Sequence, residues 1–150
     1  MVLYLPDMHE YSASATISIN ASSSKVWEAL IDPVQVKKYF FNTELQTTWE
    51  VGTPIYFKGE WEGKEYQDKG TVHEYLPLQK ISYDYWSPFS GLVDTPENYQ
   101  LITYSITSEE TGVLLTVSQS NLDSHDRVTT SVNNWNMVLN SLKVLVEEVQ

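Results

Sequence analysis

From Ala13 to Asn20 the chain alternates: Ala13, Ala15, Ile17 and Ile19 are apolar, and Ser14, Thr16, Ser18 and Asn20 are polar. A period of two sustained over this stretch describes a strand with one buried face. The pattern then changes. Ser22, Ser23 and Ser24 supply N-cap oxygens ahead of Val26, Trp27, Leu30 and Ile31, whose spacing is helical. Pro33 breaks that helix and can open another over residues 34–39. Two short helices are therefore expected after the first strand.

From about residue 44 to residue 121 the signals are those of strands. Gly52 and Pro54 mark a turn, beyond which Ile55, Phe57, Gly59 and Trp61 alternate with Tyr56, Lys58, Glu60 and Glu62. The segment from Glu62 to Lys64 is a short hairpin tip, and residues 65–75 return as the partner strand. Gly70 inside that strand signals a bulge or a close approach by a large side chain. Pro77 ends it. Ile81, Tyr83 and Tyr85 define a further strand, stopped by the turn residues of 87–91. Residues 99–108 and 113–121 form a last hairpin around Gly112. The short connections favour sequential antiparallel pairing, because a parallel crossover needs a dozen residues or more.

The final segment carries a helical stripe. Val128, Val132, Trp135, Leu139, Leu142, Val146 and Val149 recur at intervals of four and three, widened by Val138 and Leu145. Thr130, Asn133, Asn140, Lys143 and Glu147 fall on the opposite face, and Asp123 or Ser124 can cap the start. A helix over residues 124–149 is expected to pack across the sheet. A coiled coil is the competing explanation of the spacing, but only about three heptads exist, beside a sheet that needs covering.

Composition narrows the function classes. The chain has 150 residues and is read as a single α+β domain spanning 1–150. A net charge of −11, with Arg127 the only arginine, argues against nucleic acid as a partner. No cysteine is present, so disulfides, thiolate metal sites and a cysteine nucleophile are excluded, and a cytoplasmic location is expected. No signal peptide or membrane-length apolar run appears. His9-Glu10 and His73-Glu74 begin like a zinc-protease motif, yet no histidine follows three residues after either glutamate, so no metal or cofactor is expected. His125 is assigned to the helix-capping surface.

The order of elements resembles the helix-grip (START-like, SRPBCC) superfamily, which includes birch-pollen-allergen-like proteins, START domains and polyketide cyclases. Within it the chain is similar to the family related to the C-terminal domain of activators of the heat-shock protein 90 ATPase. The likeness is carried by INASSSKVWEALIDP at 19–33, WEVGTPIYFKG at 49–59, GTVHEYLPLQKISY at 70–83 and NWNMVLNSLK at 134–143. Two positions depart from the family pattern: Asn134 stands where glycine is usual, and Tyr39-Phe40-Phe41 where tryptophan is usual. Residues 1–12 form an N-terminal arm outside the match. The resemblance implies a curved sheet of about six to seven strands wrapped around the long helix. It also implies a chaperone ATPase as one class of partner, with the chain a monomer or a homodimer.

Five Trp, ten Tyr and four Phe are the feature richest in chemistry. Strand parity places Tyr83 and Tyr85 on the face of Ile81, and Tyr104 on the face of Ile102 and Ile106, both directed at Trp135. A buried tyrosine hydroxyl needs a partner, so inward tyrosines imply either a cavity with polar points or a core that satisfies them internally. For the first alternative the expected lining is Phe57, Trp61, Tyr83, Tyr85, Tyr104, Trp135 and Leu139, holding a hydrophobic or aromatic small molecule. Gly59 and Gly70 would leave room for it. Gln119 is a further inward candidate. No carboxylate pair is evident on that face and no catalytic residue is assigned, although a cyclase- or hydrolase-like enzyme could use an inward tyrosine as acid.

Overall fold

The structure, a computed structural model, describes residues 10–148. The first nine residues of the N-terminal arm, His9 among them, and Val149 at the end of the helical stripe lie outside the described residues. The elements in order are β1 (Tyr11–Ile19), α1 (Ser23–Ile31), α2 (Pro33–Tyr39), β2 (Glu44–Thr47), β3 (Pro54–Trp61), β4 (Lys64–Leu76), β5 (Lys80–Tyr85), β6 (Gln100–Ser108), β7 (Val113–Leu122) and α3 (His125–Glu148). The strands form one seven-stranded antiparallel sheet in the order β1-β7-β6-β5-β4-β3-β2. β1 therefore pairs with the last strand, while every other pairing joins sequence neighbours.

The local chemistry explains the boundaries. Ser22 Oγ accepts from the Lys25 amide at 3.2 Å and starts α1. Asp32 ends α1 and caps α2, where its carboxylate accepts from the Val34 amide and Pro33 occupies the first turn. Glu62 and Gly63 both take positive φ between Trp61 and Lys64, the two-residue turn whose twist matches a hairpin. Ser124 Oγ accepts from the Arg127 amide and begins α3.

α3 is poor in intrinsic helix formers, its first half being mostly Val, Thr and Asn. Packing must hold it. Trp135, Val138, Leu139, Leu142 and Val146 are buried, and each contributes about 1.5–3 kcal/mol relative to exposure before ordering entropy is subtracted. Val128, Val132 and Leu145 are only half-buried. Lys143 and Glu147, expected on the solvent face, instead clamp the helix to the β1–α1 junction. Lys143 Nζ donates to Ser18 O at 2.7 Å, and Glu147 Oε2 accepts from the Asn20 amide at 2.8 Å while pairing with Lys143 at 2.6 Å. A stripe pattern marks the apolar face but not the long polar side chains that bend over its edge.

Neither strand glycine opens space. A Cβ at Gly59 would lie 2.5 Å from the Tyr66 hydroxyl oxygen, because the Tyr66 ring crosses over it. At Gly70 the Asp84 carbonyl oxygen would be only 1.7 Å away. There β5 comes close because the Asp84 carboxylate interrupts the ladder, accepting from the Thr71 amide at 2.8 Å. The two positions should respond differently to alanine. Gly70→Ala meets a backbone and is expected to lose about 3 kcal/mol, whereas Gly59→Ala need only displace a tyrosine tip and should cost about 1 kcal/mol. Urea denaturation midpoints check this, and equal losses would contradict the close approach at Gly70.

Candidate functional site

Alternation along the strands delivers the concave face in cross-strand rows. Tyr83, Ile102 and Gln119 are register partners across β5, β6 and β7, and Ile81, Tyr104 and Val117 make the next row. Trp135 reaches down from α3, its Nε1 donating to Gln119 Oε1 at 2.8 Å, and meets Tyr104 edge-on with centroids 5.8 Å apart. Gln119 Nε2 in turn donates to Gln100 Oε1. The Trp135 ring thereby covers the Tyr104 row. Beyond it, towards the β3–β4 hairpin, a cavity of about 800 Å³ remains between α3 and the sheet. That volume lies within the range of small-molecule sites.

Phe57, Tyr83, Tyr85 and Trp135 form its inner wall, and Trp61, 61% exposed, stands at the mouth. Phe57 packs against both tyrosines, tilted at 5.3 Å from Tyr83 and edge-on at 5.9 Å from Tyr85. The two remaining expected residues do not reach the wall. Tyr104 lies behind Trp135, where its hydroxyl interacts with that of Tyr83, and Leu139 is packed in the core. Leu139 follows Val138, which does line the cavity, and one residue further along a helix turns by about 100°. Burial raises the pKa of Tyr83, Tyr85 and Tyr104, so these phenols stay protonated.

Several lining residues were not expected. Phe40 follows α2 and bridges the two sides of the site, with its ring 6.1 Å from Phe57 and 5.8 Å from Trp135. Tyr66 and Phe89 meet edge-on at 5.1 Å along the rim, and Ser131 and Asn134 of α3 face the opening. Arg127 Nη2 donates to Ser90 O and ties α3 to the loop that carries Phe89.

The most consequential addition is Asp68. It is the register partner of Phe57 and shares the inward parity of Gly70 and Val72, a signal present in the alternation of β4. Only 7% of it is exposed. The Tyr85 hydroxyl donates to Oδ2, whereas Oδ1 is buried without a hydrogen-bond partner. Burial raises the Asp68 pKa above its ordinary value, opposed by the Tyr85 hydrogen bond and by the nearby Ser87 hydroxyl, which does not complete a bond to Oδ1. The negative charge of Asp68 adds to burial in raising the Tyr85 pKa. A carboxylate thus sits on the concave face, which the sequence-based assignment of tyrosines and glutamine did not include.

Among the described residues no group of three or more His, Asp or Glu side chains converges as a metal site. His73 bonds Asp84 at 2.8 Å, and His125 lies exposed against the Tyr11 ring. No described helix is long and apolar enough to cross a membrane.

A long helix gripped by a curved antiparallel sheet, with a cavity between them, defines a helix-grip protein. Residues 20–147 match the family model described as Activator of Hsp90 ATPase homolog 1-like protein, and the chain belongs to that family. The solution structure of ChR145 from Cytophaga hutchinsonii is 37% identical, with 93% of this chain and 96% of that one covered and a TM-score of 0.81. The Aha1 dimer from Colwellia psychrerythraea shares the fold at 21% identity, covering 91% and 96% of the two chains with a TM-score of 0.73. So does CalU16 from Micromonospora echinospora, at 16% identity, 95% and 80% coverage and a TM-score of 0.73. No protein of curated function matches.

Two outcomes are expected of the site. Trp135→Phe leaves Gln119 Oε1 without its donor and should cost about 1–3 kcal/mol in urea denaturation. Asp68→Asn should act in the opposite direction at neutral pH. Because the folded chain holds the Asp68 proton more tightly than the unfolded chain, ionisation costs stability as pH rises from the ordinary carboxylate value through the raised folded one. The variant should melt above the parent at pH 7, with the difference shrinking as pH falls towards 4. A variant that melts lower at pH 7 would show that the carboxylate's own contacts outweigh its desolvation.

Proposed function

We propose that the chain is a binding protein for a hydrophobic or aromatic small molecule held between α3 and the concave sheet. One observation carries this: a cleft of about 800 Å³, open past the exposed Trp61 and Phe89, runs in among Phe40, Phe57, Tyr83, Tyr85 and Trp135. An interior serving only as a core packs to crystal-like density. The wall also has the composition of a ligand site, apolar rings with a few polar groups from Asp68, Tyr85, Ser87 and Gln119. A second depression of about 770 Å³ between α2 and α3 exposes Val34, Phe41 and Met137 but contains no buried unpartnered polar group. The chaperone-ATPase partner rests on the family description alone, and no feature of the cavity favours it.

Native mass spectrometry of freshly purified protein and a thermal-shift screen of neutral aromatic compounds test the proposal. At least one compound is expected to raise the melting temperature. Ser131→Trp, at the mouth on α3, should weaken its binding by about tenfold or more while leaving stability within about 0.5 kcal/mol. Absence of any bound species and of any stabilisation would sink the proposal.

A further inference from the structure

The charge pattern of the cavity wall restricts what the cavity can take. Among the described residues two carboxylic acids line it, Asp68 within and Glu60 at the rim, and no Lys, Arg or His does. A fatty-acid carboxylate or a phosphate would find no counter-ion there, and its charge would lie against that of the almost fully buried Asp68. Like charges so placed cost several kcal/mol. A neutral body fits the rings but leaves the Asp68 carboxylate on the cavity wall without a counter-charge. A carboxylate in that condition calls for a donor, and a charged donor is the strongest.

We infer that the cavity selects an organic cation, an amine borne on an aromatic or aliphatic body, with its ammonium seated at the Asp68–Tyr85 pair and its body among Phe57, Tyr83 and Trp135. The inference rests on the cavity-binding proposal above and names the ligand class. The ammonium supplies a counter-charge to the carboxylate at the cavity wall. The surrounding ring faces favour a cation as well, through their quadrupoles. At longer range, the chain's net charge of −11 attracts cations and repels anions. Tyr85 is held by its bond to Asp68 Oδ2, so the acceptor is oriented before the ligand arrives.

Three compounds sharing one body separate the terms: 1-naphthylmethylamine, 1-naphthylmethanol and 1-naphthylacetate, measured by isothermal titration calorimetry on the full chain at pH 7. The amine is expected to bind about tenfold or more tighter than the alcohol, as a charge-assisted hydrogen bond implies, and the carboxylate most weakly. Asp68→Asn should abolish the preference for amine over alcohol while changing the alcohol's affinity by less than about threefold. Glu60→Gln should keep most of the preference, which separates the buried acid from the general field. Circular dichroism melting establishes that both variants are folded. If the alcohol binds but the amine binds no better, or the carboxylate binds best, the cation inference is overturned and the cavity proposal stands. Should none of the three bind, both are overturned.

Discussion

Trp135 is anchored at both ends: its backbone belongs to α3, and its Nε1 donates to Gln119 Oε1 at 2.8 Å on the sheet. A buried indole N–H without a partner would cost about 1–3 kcal/mol, so this bond sets the ring's orientation rather than merely accompanying it. Gln119 is itself oriented by its bond to Gln100. The plane of the indole follows, with Tyr104 edge-on beneath it and Phe40 edge-on beside it. A ring held this way covers one cross-strand row and stops. Over the next row, Tyr83, Ile102 and Gln119, α3 presents Ser131, Asn134 and Val138 beside Trp135, and none of those three is large enough to fill the space above it. The cavity is the consequence of where one hydrogen bond places one side chain.

The same geometry explains which parts of the molecule were legible in the sequence. Periodicity is a property of single elements, and it located β1, β3 to β7, the two capped helices and α3 because each had a buried stripe strong enough to read, whereas the four-residue β2, with one buried side chain, fell only within a stretch read broadly as strand. The site depends on relations between elements. Parity placed Tyr83, Tyr85 and Tyr104 on one face, but only the register shows that Tyr104 lies one row further under Trp135 and leaves the cavity wall. Asp68 was within reach of the same parity rule. It was obscured by its setting, since a lone acid between Gln67 and Lys69 reads as part of a solvated strand face. Gly59 and Gly70 show the complementary limit. A glycine in a strand signals a close approach, and whether the intruder is a ligand, a tyrosine ring or a backbone carbonyl is decided by a neighbouring strand.

Asp68 is where local preferences and the global fold conflict most openly. Asparagine is nearly isosteric and would bring no charge into an aromatic wall, and leucine would fill space at no electrostatic cost. Neither stands there. Tyr85 satisfies one oxygen, the raised pKa reports the desolvation, and the second oxygen has no partner. Most buried polar atoms in folded proteins are paired, and among the described residues the buried side-chain exceptions are Asp68 Oδ1 and Asp123 Oδ1, of which only Asp68 belongs to the cavity wall. Departures of this kind concentrate where a protein meets something else, because the missing partner can be supplied from outside.

That reasoning also decides how the strongly acidic surface bears on the interior. Net charge by itself says little about a buried site, since exposed charges more than about 10 Å away are largely screened at ordinary salt. The wall carries its own sign independently of the surface. Four of the nine Lys and Arg side chains are engaged elsewhere, Lys69 with Asp94, Lys80 with Glu74, Arg127 with Asp123 and the Ser90 carbonyl, and Lys143 with Glu147, and none of the nine lines the cavity. Asp68 is itself almost fully buried, so its charge is screened less than those on the surface. Surface and interior therefore act at different ranges but with one sign. The outer field biases which molecules arrive, and the buried acid discriminates among those that enter.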